Sequence, residues 1–483
     1  MLETLAALAL SAVLGVAFLR AERTGRPERV VLWVLGVLVV EGVLYPQPFD
    51  VPLSVVHPQI GGLSFRLVDV VLAVAIATRL RVRGVPRTAS STSLLWLIFL
   101  GWLVTEAALG VLGSGNLTLL FFELKVVLYL GVMIVVADVP AARWTQPSVT
   151  LFLRVNAVFG AVLVVLSATK IRLSAPLPLL PLTDAGDISS DAATIFAALG
   201  LLALGLALAS SSGRIGLLLS AGALLVTTVP AGQRAALIFA SIGLLVLLGG
   251  TAAIGRRWVA ISTAEVLLVA LGCIAVATPS LLFAQQVAPK AQLPFASTIN
   301  EVLNGRGKQL SAEGRLNQWR AVRPVLSERP VLGHGLGATY QYFEPGPPAR
   351  LVRSDLTHNL EGDLLLRTGL VGLVLFAAAV SSTLMDGVRA ARRRSDPVLA
   401  SLVLATTAGV VSWLAKAQVE SLFEKYRLAV LLGLLIGLVR SLASDVELGG
   451  RDAGSEVAPG RAAAVPTIPT SGHPGSVGSR IAP

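Results

Sequence analysis

Long apolar stretches recur along almost the whole chain and are separated by short polar connections. A hydrocarbon core about 30 Å thick needs roughly 20 apolar residues in helical form. These stretches are continuously apolar rather than alternating, and backbone groups in lipid must be satisfied within the segment, which favours helices over barrel strands. The pattern predicts an all-α, polytopic transmembrane bundle of about 12–13 spans.

The predicted spans lie near residues 3–19, 30–45, 64–80, 92–111, 117–137, 149–168, 192–210, 214–230, 235–251, 258–278, 364–383, 398–416 and 426–442. Arginines cluster in connections between alternate spans, at residues 79–87, 256–257 and 389–394. Cytoplasmic connections are enriched in Lys and Arg, so these connections mark the cytoplasmic face. Counting from them places the N-terminus outside. No basic region precedes the first apolar stretch, which is therefore expected to remain a span rather than a signal peptide.

This reading divides the chain into four parts. N-terminal spans occupy residues 1–278, one long extracytoplasmic loop occupies 279–363, and C-terminal spans occupy 364–442. Amphipathic stretches in the loop predict short helices near the membrane surface, and a loop of this length is usually functional. The remainder, 443–483, is rich in Gly, Ala, Pro and Ser and is expected to be a disordered cytoplasmic tail.

Composition narrows the class of protein further. The chain is 54% hydrophobic and 14% charged, against about 25% charged in soluble proteins. Its formal charge of +11 reflects Lys and Arg on the cytoplasmic side of a membrane protein, so nucleic acid is not an expected partner. The single cysteine, Cys273, excludes an intramolecular disulfide framework and a cysteine-based metal cluster.

An ordered series of motifs begins before the long loop and continues through it. Along the chain it comprises Gln233-Arg234, Arg315 ahead of Trp319, Pro330-Val331-Leu332-Gly333-His334-Gly335, His358-Asn359, and Gly369 with Gly372. In order and spacing this series resembles the signature of the O-antigen ligase and polymerase family. The resemblance covers roughly residues 192–385, whereas the earlier spans match only in being apolar.

The resemblance implies a membrane glycosyltransferase of the bacterial inner (plasma) membrane. Such an enzyme moves a glycan from a polyprenyl-pyrophosphate carrier to an acceptor hydroxyl on the extracytoplasmic face. The expected partners are the lipid-linked glycan donor, a glycan or lipid acceptor and membrane lipids. The outer face lacks an aspartate-rich element, and the family is understood to work without metal, so no metal or other cofactor is expected.

The two arginines suit the pyrophosphate of such a donor. Arg234 and Arg315 each offer a planar fork of donors that stays protonated, and each charge-assisted bond is worth about 1.5–3 kcal/mol. Two such residues could replace a divalent metal. The alternatives are an arginine snorkelling at a span end for Arg234, and a surface residue packing on Trp319 for Arg315.

His358 is the candidate general base, because imidazole can accept a proton near neutral pH from an attacking sugar hydroxyl. Resemblance implies the same role, and the alternative is a histidine that caps the following helix. Asn359, Trp319 and Asp355 are possible supporting residues. Glu361 and Asp363 are close enough in sequence to tune His358, although such acids are usually solvated. His334, at a variable position of the glycine turn, is predicted to be non-catalytic.

Charged residues also fall within or beside the predicted spans: Glu41, Asp69, Glu106, Glu123, Lys125, Arg154, Glu265 and Lys416. Buried charges in lipid are costly and often functional, but mutual pairing or placement near span ends explains each equally well. Asp69, close to Arg66, is the first to test.

Three other functions compete with a ligase. A polymerase of the same family activates the same donor, and the ligase is favoured because the connection at 169–191 is short and has only two bases, Lys170 and Arg172. A transporter or lipid flippase would also have many helices and buried charges, but no internal repeat is visible. If the protein were a non-catalytic scaffold, the motif histidine and the two motif arginines would have no function.

Overall fold

The computed structural model describes most of the chain. The described residues are 2–44, 59–60, 63–64, 66–84, 91–113, 117–169, 189–210, 213–228, 234–253, 309–344, 350–354, 357–418 and 425–454. The predicted span 258–278, the first part of the long loop and residues 455–483 of the predicted tail lie outside them. So do Asp355, Glu265 and Cys273.

Helices dominate the described residues, as predicted. They are α1 (Leu2–Arg23), α2 (Glu28–Leu44), α3 (Leu67–Arg83), α4 (Ser91–Gly113), α5 (Leu117–Ala137), α6 (Pro147–Thr169), α7 (Ser190–Ala209), α8 (Arg214–Val226), α9 (Arg234–Ala253), α10 (Gln309–Glu328), α11 (Leu360–Arg393), α12 (Pro397–Ala417) and α13 (Tyr426–Gly454). A short 3-10 helix, Ala141–Thr145, precedes α6. Two small antiparallel hairpins pair β1 (Gln59–Ile60) with β2 (Leu63–Ser64) and β3 (Tyr340–Glu344) with β4 (Arg350–Ser354).

Seven of the described helices are long and apolar enough to cross a membrane: α4, α5, α6, α7, α11, α12 and α13. The all-α, multi-pass membrane architecture is therefore confirmed. The clearest differences from the sequence prediction are in α11 and α13. Helix α11 begins at Leu360, within the predicted loop, because Asn359 caps it, and it ends at Arg393, beyond the predicted end of the span at residue 383. Helix α13 continues to Gly454, beyond the predicted end of the last span at residue 442.

The segment between α9 and α11 contains a small core of its own. One side of α10 supplies Val322, and the hairpin supplies Tyr340 and Tyr342, which are buried, whereas Gln341 and Phe343, which alternate with them, are exposed. This alternation is the two-residue period of a strand, and it explains a hairpin where short helices alone are predicted. The core is completed by Leu366 of α11. The described residues of the segment 309–359 are in contact with one end of the bundle, and we name this end the loop end.

The opposite end of the bundle is held by buried ion pairs. Arg79, near the C-terminus of α3, lies between Glu22 of α1 and Asp138, which follows α5. Glu22 also accepts from the Nε of Arg83 at 3.1 Å. Three helices that run in the same direction are therefore joined at this end, where the arginine-rich connections predict the cytoplasmic face.

Small residues allow the central helices to approach closely. Helix α7 is almost wholly buried against α8, α9 and α12. At Gly205 of α7, an added Cβ would lie 2.5 Å from the Cβ of Ala405 and 3.1 Å from the carbonyl oxygen of Ser401, both in α12. Close backbone contact of this kind drives helix association in lipid, where the hydrophobic effect between spans is weak. The pair α7 and α12 thus forms a rigid centre for the bundle.

Candidate functional site

A sharp kink in α11 lies at the loop end. Gly369 interrupts the helix with φ 60° and ψ −166°, so the carbonyl groups before it and the amide groups after it lack their usual helical partners. Unpaired backbone groups are costly in a buried site, and the kink therefore needs partners from another segment.

The glycine turn at residues 330–337 supplies those partners. Its backbone N–H groups at His334 and Gly335 donate to the carbonyl oxygens of Leu366 and Arg367 at 2.8 and 3.0 Å. In return, the carbonyl oxygens of Pro330 and Val331 accept from the N–H groups that follow the kink, those of Leu370 at 2.9 Å and Val371 at 3.2 Å. The turn and the kinked helix form one hydrogen-bonded unit.

The glycines of the motif are required by this docking. Gly333 has φ 77°, and an added Cβ there would lie 2.6 Å from the backbone N of Gly369. Gly335 has φ 82°, and its added Cβ would lie 2.5 Å from the backbone N of Gly110 in α4. Side chains rarely adopt such φ values, and here there is also no space for one. The sequence analysis identifies this segment as a glycine turn, and the structure shows that its backbone lies close to two helices.

His358 lies immediately before α11 at the loop end and is half-buried. It is the one non-glycine residue with positive φ, 50°, among the described residues. Such a conformation is uncommon for a residue with a side chain and persists only where the surroundings hold it. Backbone outliers of this kind cluster at active sites, which makes His358 a functional candidate on geometric grounds as well.

The residues on both sides of His358 are fixed by hydrogen bonds. Asn359 is the N-cap of α11, with its side-chain oxygen accepting from the N–H of Gly362 at 2.9 Å, and its amide nitrogen lies 3.4 Å from the carbonyl oxygen of Gln418. The capping function considered for His358 therefore belongs to Asn359. On the other side, the N–H of Thr357 donates to Asp363 Oδ1 at 3.0 Å.

A buried ionic path leads from Asp363 into the bundle. Arg367, one helical turn further along α11, lies 3.0 Å from Asp363 and 2.7 Å from Glu123 of α5. Glu123 also accepts from the N–H of Gly337, at 2.6 Å. The side chains of Asp363 and Arg367 are fully buried, so Asp363 is not the solvated acid considered from the sequence.

The sequence analysis misses Arg367. The sequence does contain a signal for Arg367, which lies four residues after Asp363 at the start of an apolar span. Residues four apart lie on one face of a helix, and buried charges are expected to pair.

Trp319 lies against the first turn of α11. An added Cβ at Gly362 would lie 3.4 Å from its ring, and Trp319 also packs against the core formed by Val322 and the hairpin. These are packing contacts, and they join α10 to α11, the helix that follows His358. A supporting role for Trp319 in the reaction stays a prediction.

The two candidate arginines are placed by their backbones. Arg234 is the first residue of α9, and Arg315 lies in the second turn of α10. Their side chains, like all of Asp355, lie outside the described part of the structure. The pyrophosphate role of the arginines and the supporting role of Asp355 stay predictions.

A second group of buried charges includes Lys125, which lies two residues after Glu123 in α5. Asp69 accepts from Lys125 Nζ at 2.6 Å and from the Tyr129 hydroxyl at 2.7 Å. The backbone N–H of Arg66 donates to Asp69, while its guanidinium lies 3.8 Å above the ring of Tyr426. Asp69 thus pairs with Lys125 rather than with the Arg66 side chain.

Several other charged span residues also have partners. Glu41 accepts from the N–H of Val68 and the hydroxyl of Tyr426, each at 2.9 Å. Lys416 Nζ lies 2.5 Å from the Thr194 hydroxyl. Ion pairing, one of the two explanations open from the sequence, accounts for Asp69, Glu123 and Lys125. Glu41 is instead satisfied by a backbone N–H and a hydroxyl.

Two other polar side chains of this region, those of His334 and Tyr340, are poor candidates for the general base. His334 Nε2 lies 2.7 Å from the carbonyl oxygen of Val325, so this ring is held within the turn. Burial raises the pKa of the Tyr340 phenol above its usual range, which keeps it neutral and excludes it as a base near pH 7. Among the described residues, no group of three His, Cys, Asp or Glu could hold a metal ion.

These features define a multi-pass membrane protein with a histidine held in a strained conformation at one end of its bundle. The family whose description is O-Antigen ligase matches residues 196–377, and the predicted resemblance is thereby confirmed. Over this segment the chain is similar to the O-antigen ligase family, which supports a membrane glycan-processing enzyme of the ligase or polymerase kind. No curated protein matches the chain significantly. The matched segment includes Arg234, Arg315 and His358, whereas α4 and α5 precede it.

Proposed function

We propose that this protein is a metal-independent, inverting glycosyltransferase that moves a glycan from a polyprenyl-pyrophosphate carrier to an acceptor hydroxyl. The observation that carries the proposal is the placement of His358, in a strained backbone conformation at the loop end, within the segment matched to the O-antigen ligase family. A half-buried imidazole at that position is partly exposed, as a base must be to take a proton from an acceptor.

The reaction assigns one task to each candidate residue. His358 accepts the proton of the acceptor hydroxyl while the oxygen attacks the anomeric carbon of the donor sugar. The bond from that carbon to the pyrophosphate oxygen breaks on the opposite face, which inverts the configuration. Arg234 and Arg315 neutralise the charge that develops on the leaving pyrophosphate, a contribution that is largest in a site with little water.

Arg234→Lys and Arg315→Lys are each expected to lose most transfer activity although the charge is retained. A compact ammonium cannot reproduce the two parallel hydrogen bonds that a guanidinium makes to a phosphate. The measurement is the transfer rate of purified variants, with Arg323→Lys as a control, because Arg323 is an exposed arginine of α10 outside the motif series. Near-normal rates for the two motif variants would reduce both arginines to general electrostatics.

The loop end is proposed to face the extracytoplasmic side of the bacterial inner membrane. After Cys273→Ser, intact cells carrying Ser327→Cys should react with a thiol reagent that cannot cross the membrane. Cells carrying Ser395→Cys should not. Both serines are exposed, Ser327 in α10 and Ser395 between α11 and α12. The reverse labelling pattern would place the site on the cytoplasmic side and contradict a lipid-linked donor presented outside.

Ligase activity is favoured over polymerase activity because the second connection available for a basic loop, at 169–191, is short and carries only two bases. The test is to supply the purified protein with lipid-linked repeat units alone, in the presence of EDTA, and to resolve the products by size. A ladder of longer lipid-linked glycans would make the protein a polymerase. Transfer only after a membrane lipid or glycan acceptor is added would support the ligase. Activity that requires added magnesium or manganese would contradict the metal-independent mechanism.

A further inference from the structure

His358 is linked to the interior of the bundle through Thr357. The hydroxyl of Thr357 lies 2.9 Å from Asp363 Oδ1 and 2.8 Å from the carbonyl oxygen of Asn359, and its N–H donates to the same carboxylate oxygen. Thr357 and Asp363 are both buried. The residue before His358 is therefore anchored at two points to one carboxylate in α11.

That carboxylate is in turn the end of the ionic path through Arg367 and Glu123. A fully buried guanidinium bridges the two carboxylates, and its removal would leave both carboxylates without a cation in a dry environment. The bridge also joins two parts of the chain, since Glu123 lies in α5 and precedes the segment matched to the O-antigen ligase family. Helix α5 thereby holds the helix that begins beside His358.

We infer that Glu123, Arg367 and Asp363 are positioning residues that fix the His358 imidazole for proton transfer by anchoring Thr357. The inference rests on the proposed function, in which His358 is the base. Because Glu123 also accepts from the N–H of Gly337, the same path fixes the glycine turn and His358 relative to one another.

The physical reason for such a path is the conformation of His358 itself. A positive φ at a histidine is unfavourable, and the backbone would relax towards the ordinary helical or extended region if its neighbours were released. Asn359 is held by its own capping bond, so Thr357 is the point at which release can occur. Relaxation there would swing the imidazole, and misplacement of a catalytic group by about 1 Å can cost ~10²-fold in rate.

The test compares Thr357→Val with Thr357→Ser, because valine removes the hydroxyl at almost constant volume while serine retains it. Using a polyprenyl-pyrophosphate-linked oligosaccharide as donor, Thr357→Val is expected to lower kcat about tenfold or more, with KM for the donor within about threefold of wild type. Thr357→Ser is expected to remain within about threefold in both constants. Rates are expressed per amount of monodisperse protein in detergent, so that a loss of folded protein is not mistaken for a loss of catalysis.

A second comparison addresses the interior of the path. Glu123→Gln should lower kcat in the same way, whereas Glu106→Gln should leave it unchanged. Glu106 is a matched control, since it is equally buried at the loop end of the neighbouring α4, yet its carboxylate makes no hydrogen bond within the described residues. If Glu123→Gln does not fold, the two Thr357 variants still decide the question.

The outcomes separate this inference from the proposed function. Full activity of a His358 variant would remove the base, and with it the proposed function. An inactive His358 variant together with a normal kcat for Thr357→Val would overturn the positioning inference alone. A normal kcat with a raised KM for Thr357→Val would also overturn it, because the path would then act on donor binding rather than on the base.

Discussion

His358→Ala is expected to abolish nearly all glycan transfer while leaving a folded, membrane-inserted protein. The variant removes the proton acceptor for the sugar hydroxyl, and general-base catalysis typically contributes ~10²–10⁴-fold. The fold should survive, because Asn359 rather than His358 caps α11 and because alanine keeps only the Cβ that histidine already has and so adds no clash. The measurement is the transfer rate of the reconstituted variant together with its elution profile in detergent.

His334 offers a matched control in the same structural unit. Its ring is held by a hydrogen bond to the carbonyl oxygen of Val325, and His334→Ala should therefore cost about 0.5–1.5 kcal/mol of stability with little effect on kcat. His358→Ala retaining more than about a tenth of wild-type activity would exclude His358 from the base role. Equal losses for both histidines would indicate damage to the turn instead of loss of a base.

Gly110→Ala is expected to have the largest effect on folding. A Cβ on this residue of α4 would overlap the carbonyl oxygen of Leu336 and approach the side chain of Leu120 to 2.9 Å. The backbone of Leu336 cannot move aside as a flexible side chain can. Its N–H donates to the backbone carbonyl oxygen of Glu106, which is also in α4, at 3.1 Å. Overpacking commonly costs about 1–3 kcal/mol, and here we expect the upper end of that range or more. The readout is the thermal unfolding temperature of the purified protein in detergent.

Gly101→Ala, in the same helix, is the matched control. An added Cβ at Gly101 meets nothing within 4 Å, and alanine is favoured over glycine in a helix by about 1 kcal/mol. This variant should be as stable as wild type or more so. A Gly110→Ala protein that unfolds at the wild-type temperature would show that the glycine turn does not pack against α4 as described.

The sequence predicts the helices well because the signal for a span is local. A run of apolar residues of bilayer length specifies a helix without reference to the rest of the chain. Apart from the longer α11 and α13, the described helices start and end close to the predicted spans. The hairpin at Tyr340–Ser354 is missed because an alternation of only five residues is short, and its burial depends on α10 and on Leu366.

The candidate site is predicted in part. The order of the motifs identifies His358, and its strained conformation is an independent reason to single it out. The glycine turn is predicted as a turn, but its docking against the kink at Gly369 depends on hydrogen bonds between residues 32 to 40 positions apart, which no local pattern encodes. The path through Arg367 and Glu123 joins residues still further apart, and a buried arginine in one helix does not indicate which helix supplies its partner.

The docking of the glycine turn gives the kinked helix an unusual exchange behaviour. In an unbroken helix, the amide protons of Leu370 and Val371 would be protected from solvent deuterium by carbonyl groups of the helix itself. Here their acceptors are Pro330 and Val331, in another segment. Exchange at these two amides therefore reports the opening of the turn rather than the fraying of the helix, and mass spectrometry of a peptide spanning them would time the release of the loop beside His358.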